Sequence, residues 1–145
     1  MSVPTERPAI VLVDDDHHSA RLMLRMLTAH GGPEVEHLAD PTAALESVAG
    51  FIAAGPGDTR MMVVVDLKSS STATSDFIIR LRQEAPGLLV VAMAPSLDKP
   101  TRDQLLNAGA AAVFERHADL NLYRREAACI VAFWVRGQRL NAVGT

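Results

Sequence analysis

The chain has 145 residues, of which 48% are hydrophobic, 21% charged and 4% aromatic, with a formal net charge of −3. That length suits one domain, the mixed charges argue against a disordered tail, and mild acidity gives no support to bulk nucleic-acid binding. The single cysteine, Cys129, excludes an internal disulfide framework and any multi-cysteine zinc site.

Ala9 to Val13 is the first of five short apolar runs. In the helical segment after it, Leu22, Met23, Met26 and Leu27 share a face until Gly31-Gly32-Pro33 stops it. Val35 to Leu38 is a weaker second strand. Asp40 is placed to cap a second helix with Pro41 at its first position. Its apolar face is Ala44, Leu45, Val48 and Ile52, and Gly55-Pro56-Gly57 ends it. Met61 to Val65 is the third strand. A hydroxyl-rich run, Ser69 to Ser75, then precedes a helix carrying Phe77, Ile78 and Leu81, which Pro86-Gly87 ends. Leu88 to Ala94 is the fourth strand. Asp98 or Lys99 before Pro100 opens a helix with Leu105, Leu106 and Ala108, and Gly109 closes it. Ala111 to Phe114 is the fifth strand, and about Asp119 to Leu140 the longest helical candidate.

Three of the runs are continuous and valine-rich, as strands buried on both faces of a parallel sheet are. Five strand–helix alternations predict an open, doubly wound α/β sheet with right-handed crossovers. Ligands of such sheets sit outside the carboxyl ends of the strands. There the chain places Asp14, Asp15 and Asp16 after strand one, Asp66 after strand three, Ala94-Pro95 after strand four, and Glu115-Arg116-His117 after strand five. Carboxylates converging on one rim are costly unless a cation neutralises them. They favour a hard ion such as magnesium, beside which an Asp can attack a phosphoryl donor. Asp16 is expected to cap the first helix. His17 and His18 diverge in a first helical turn, which argues against a transition-metal site.

The order Val11-Leu12-Val13-Asp14-Asp15-Asp16, Val63-Val64-Val65-Asp66-Leu67 and Ala108-Gly109-Ala110 resembles the receiver domain of two-component response regulators, a CheY-like family, over about Ala9 to Leu140. The resemblance implies a flavodoxin-like (βα)5 fold with a five-stranded parallel sheet in the order 2-1-3-4-5. It divides the chain into a lead (1–8), the domain (9–140) and a tail (141–145). It also implies phosphorylation of Asp66, with Mg2+ held by Asp14, Asp15, Asp66 and the Lys68 backbone carbonyl. The implied partner is a histidine kinase or phosphotransfer protein.

Several positions depart from the family pattern. Ala94 stands where the family has a Thr or Ser whose hydroxyl meets the phosphoryl group, and Ser96 is the nearest substitute. Arg116 replaces the family Lys; it keeps the charge but is planar and bulkier. His117 replaces a proline reached through a cis peptide, which predicts a trans, re-routed loop. Val113 replaces the switch aromatic. The six hydroxyls after Lys68 either order their longer loop through side-chain to backbone bonds or leave it mobile.

On the last helix, Tyr123, Ala127, Ile130, Val131 and Trp134 form one stripe, and Leu122, Cys129, Phe133 and Leu140 a second beside it. This exceeds what one sheet edge requires. The surplus is either a wide core contact or, with Leu122, Cys129, Phe133 and Trp134 as candidate interface residues, the surface of a homodimer or partner complex. Cys129 itself is expected as a small core residue. Arg124, Arg125, Arg136 and Arg139 line the same helix.

The sequence therefore predicts a cytoplasmic receiver in a phosphorelay, a phosphoacceptor rather than a turnover enzyme. The alternative is a phosphorylation-independent pseudo-receiver acting as a binding or adaptor module. No apolar run approaches the roughly 20 residues that cross a bilayer, and residues 1–8 lack the order of a secretory signal. Neither membrane nor direct nucleic-acid contact is expected. Asp14-x-Asp16 is similar to the nucleophile motif of haloacid-dehalogenase-like phosphatases, but His18 stands where that motif has Thr or Val. Carboxylates after strand one would repel the phosphate of a flavodoxin-type FMN site.

Overall fold

The computed structural model describes residues 8–54 and 61–142, with side chains to residue 138. Residues 1–7 of the expected lead, the Gly55-Pro56-Gly57 stop and the side chains of Arg139 and Leu140 lie outside the described residues.

Strands and helices alternate: β1 (Ile10–Asp14), α1 (His17–Ala29), β2 (Val35–Leu38), α2 (Pro41–Ala53), β3 (Met62–Asp66), α3 (Ala73–Glu84), β4 (Leu89–Ala94), α4 (Lys99–Ala108), β5 (Ala112–Glu115) and α5 (Leu120–Ala142). All pairings are parallel and the sheet order is β2-β1-β3-β4-β5, as the resemblance implies.

The valine-rich strands occupy the middle of the sheet because both of their faces are covered. Every residue of β1, β3 and β4 is buried, whereas the edge strands β2 and β5 are largely half-buried. Alternation divides the core into two layers. Val11, Val13, Val63, Val65, Val90 and Ala92 pack with Leu45, Val48, Phe77, Ile78, Leu81 and Leu105 of α2, α3 and α4. Ile10, Leu12, Met62, Val64, Val91 and Met93 pack on the other face with Met23, Met26 and Leu27 of α1 and Tyr123, Ala127 and Ile130 of α5.

Local signals place the helix ends. Asp16 accepts from the His18 and Ser19 N–H groups at 2.9 and 3.3 Å, and so caps α1 as expected. Asp40 caps α2 through Thr42, and Asp98, not Lys99, caps α4 through Thr101. Gly109 ends α4 at φ 124°, and a Cβ there would lie 2.6 Å from Cγ of Arg82. Arg82 uses this approach to donate to the Gly109 carbonyl from Nε at 2.9 Å and Nη2 at 2.6 Å. It also donates to the carbonyls of Pro86 and Leu88, tying α3, β4 and α4 together.

Two expectations about helix faces are corrected. Ile52 and Leu106 are exposed at 36% and 41% rather than part of the core. Cys129 is exposed as well, because it falls on the α5 face turned away from the sheet.

Candidate functional site

The register of β1 and β3 pairs Asp14 with Asp66 directly, at the carboxyl ends of neighbouring strands. Both are fully buried, at 0% and 1% exposure. Two carboxylates about 4 Å apart repel by about 4 kcal/mol even at an effective dielectric of 20, so the pair requires cations.

The chain itself supplies two. Lys68, two residues beyond β3, turns its ammonium back over the strand end. Its Nζ lies 2.7 Å from Asp14 Oδ1 and 3.1 Å from Asp66 Oδ2, and donates to the Asp66 carbonyl at 3.3 Å. Arg116, from the end of β5, reaches Asp66 Oδ1 with Nε at 2.9 Å and Nη2 at 2.8 Å. Both Asp66 oxygens are therefore ion-paired.

Asp14 also accepts from the Asp16 N–H at 2.9 Å and the Ser19 hydroxyl at 2.7 Å, while His37 Nε2 lies 2.8 Å from its carbonyl oxygen. Asp15 faces the β3–α3 loop. Its carboxylate accepts from the Lys68 N–H at 3.0 Å and the Ser69 N–H at 3.0 Å. Charge-assisted bonds of this kind hold the loop against β1. Thr74, in the first turn of α3, secures the same loop: its hydroxyl accepts from the Leu67 N–H at 3.0 Å and donates to the Leu67 carbonyl at 3.2 Å. With Ser75, which donates to the Thr72 carbonyl, it orders the loop through side-chain to backbone bonds, the first of the two alternatives.

The departures from the receiver pattern have local consequences. Ala94 is buried and presents no hydroxyl, and its carbonyl accepts from the Arg116 N–H at 2.7 Å. A cavity of about 400 Å³ opens beside it, lined on one side by Lys68, Ser70, Thr72 and Thr74 and on the other by Thr101, Gln104 and Arg116. Ser96 does not substitute for the missing hydroxyl. It donates to Asp98 Oδ2 at 2.5 Å and serves the α4 cap. The bond before His117 is trans, since no cis peptide occurs among the described residues. His117 instead lies between Glu115, at 3.0 Å, and Glu126, at 3.7 Å. Val113 packs half-buried against the α2–α4 layer.

His17 is exposed and meets His37 edge-to-face at 5.5 Å, and His18 is exposed as well. Tyr123, a member of the apolar α5 stripe, is buried near the acidic centre. Burial pushes its phenol above the ordinary range, and the charges of Asp66 and Asp14 add to this. Its hydroxyl has no hydrogen-bond partner among the described residues. Of the candidate interface residues, Leu122 and Cys129 are exposed, while Phe133 and Trp134 pack half-buried on the α5 layer. Phe133 meets Phe114 edge-to-face at 6.1 Å.

The donor set that the resemblance assigns to magnesium does not fit the ion in this arrangement. Asp14 and Asp66 share the Lys68 ammonium, and Asp15 is engaged by backbone N–H groups. Among the described residues, no group of three or more His, Cys, Asp or Glu side chains is placed to hold a metal.

No protein-family model matches the chain. No curated protein matches it. Solved structures do, at low sequence identity. The phosphorylated cyanobacterial phytochrome response regulator RcpA superposes with a TM-score of 0.69 at 18% identity, over 89% of this chain and 94% of that one. A response regulator receiver domain from Rhodospirillum rubrum gives 0.69 at 21%, over 87% and 92%. The Mn(2+)-bound form of response regulator Rcp1 gives 0.68 at 17%, over 88% and 94%. The fold is that of response regulator receiver domains.

Proposed function

We propose that this chain is a receiver-type signalling module that passes its signal through protein–protein contacts, without taking up a phosphoryl group. It turns over no substrate in this reading. The observation that carries it is the state of Asp66, which is 1% exposed and has both carboxylate oxygens held by cations of the same chain, Lys68 and Arg116. A nucleophile needs a free lone pair aligned with the phosphoryl donor. The absence of a hydroxyl at Ala94 supports the same reading. The surface that would meet a partner, or a second copy, is the face of α5 carrying Leu122 and Cys129. Leu122 is 42% exposed there, and Cys129 is exposed two turns further along the same face.

A second reading is favoured by the pairing of Asp14 with Asp66 at the strand ends. In it Asp66 is a phosphoacceptor for a histidine kinase or phosphotransfer protein, with Mg2+ in the cation seat after Lys68 has moved away. Incubation with acetyl phosphate and magnesium, read by intact mass, separates the two. The first predicts no adduct on the parent protein. An adduct that disappears in Asp66→Asn would establish the second.

A further inference from the structure

We infer that the Lys68 ammonium is the resident cation of the acidic centre, and that it excludes a divalent metal from the seat between Asp14 and Asp66. The inference deepens the proposed function and rests on the same closed centre.

The geometry is that of a counter-ion rather than a surface lysine. A single Nζ lies within 3.1 Å of carboxylate oxygens on two adjacent strands and donates in addition to the Asp66 carbonyl. Three acceptors match the three donors of an ammonium. The lysine stem is held where it leaves the chain, because the Lys68 N–H is bonded to Asp15. Each of the six carboxylate oxygens of Asp14, Asp15 and Asp66 has a protein donor.

Charge leads to the same result. Asp14 and Asp66 face Lys68 and Arg116, two negatives against two positives, and the remaining carboxylate, Asp15, faces two N–H dipoles. A divalent ion entering this set, whose net charge is only −1, would meet two fixed positive charges. It would also require oxygens at about 2.0–2.1 Å in octahedral geometry, with several waters retained. Nζ at 2.7 Å from one carboxylate and 3.1 Å from the other leaves no room for that shell.

The test is Mn2+ binding to the full chain, followed by the loss of the free-ion signal in electron paramagnetic resonance. The variants are Lys68→Met, which keeps the apolar stem, and Lys68→Gln, in case the first fails to fold. The parent is expected to leave the free Mn2+ signal unchanged at low-millimolar ion. A folded Lys68 variant should bind saturably and at least about tenfold more tightly, since one positive charge beside the seat has gone. Asp14→Asn added to either variant should abolish that binding. Saturable binding by the parent as tight as by the variant overturns the inference, as does a folded variant that binds no better. The acetyl phosphate assay answers separately. An Asp66 adduct on a parent that binds no Mn2+ removes the proposed function and upholds the resident cation. Mn2+ binding without an adduct does the reverse.

Discussion

Arg116 spans the width of β4 to grip one oxygen of Asp66, with Nε at 2.9 Å and Nη2 at 2.8 Å. The two residues stand at the ends of strands that do not touch, since β4 separates β3 from β5. Ala94, which ends β4, lines the same cavity as Arg116 and brings only a methyl to it. The arginine and the alanine thus belong together: a longer cation on one strand, a smaller side chain on the next.

Arg116→Ala removes one of the two cations on a buried carboxylate. The variant is expected to lose about 1–3 kcal/mol of stability, the cost of leaving a buried acceptor under-satisfied. Arg116→Lys should recover only part, because a point charge replaces a two-donor fork. Urea denaturation of the parent and both variants measures the order.

Tyr123→Phe tests a different kind of burial. The phenol is pushed above its ordinary range by its buried setting, and its hydroxyl has no partner among the described residues. A tyrosine with a satisfied hydroxyl loses about 1 kcal/mol on truncation. Here the midpoint of denaturation should hold or rise.

Asp98 gives a pH dependence whose sign can be worked out. The hydrogen bond from the Ser96 hydroxyl, and then that from the Thr101 N–H, lower its pKa below the ordinary carboxylate value. A folded-state value below the unfolded one contributes stability above the unfolded pKa, and that stability is lost as pH falls through the folded value. Asp98→Ala should therefore melt earlier than the parent near neutrality. The gap should narrow in acid, below the usual carboxylate range, in thermal scans across pH.

Leu122→Glu probes the outer face of α5. Leu122 is 42% exposed, so the fold should tolerate the change within about 0.5 kcal/mol. If that face holds a second copy, sedimentation velocity will show the parent's dimer dissociating in the variant. A monomeric parent would leave the face to a different protein.

The fold was legible because its strongest signals are collective. Continuous, valine-rich apolar runs at β1, β3 and β4 announce strands covered on both sides, and Asp16, Asp40 and Asp98 announce helix starts through chemistry confined to one turn. The carboxylates were legible for the same reason, since a strand end is a defined place. The role of Lys68 was not. A lysine after a strand reads as a solvated side chain, and its direction depends on the loop path. That path is set by Asp15, 53 residues earlier, and by the hydroxyl of Thr74. The exposure of Cys129 is hidden in the sequence for a related reason. Its apolar neighbours suggested burial, but the phase of a long helix decides which neighbours face the sheet.

The balance of charge over β1 and β3 also bears on how a partner would arrive. An open cluster of carboxylates would project a long-range attraction that gathers cations and speeds encounter at low ionic strength. Lys68 and Arg116 cancel the charges of Asp14 and Asp66, so only Asp15 and Asp16, each met by backbone N–H groups, contribute to that field at the rim. Association at this edge is then governed by fit at close range. Its on-rate should change less with added salt than that of an acidic rim left open.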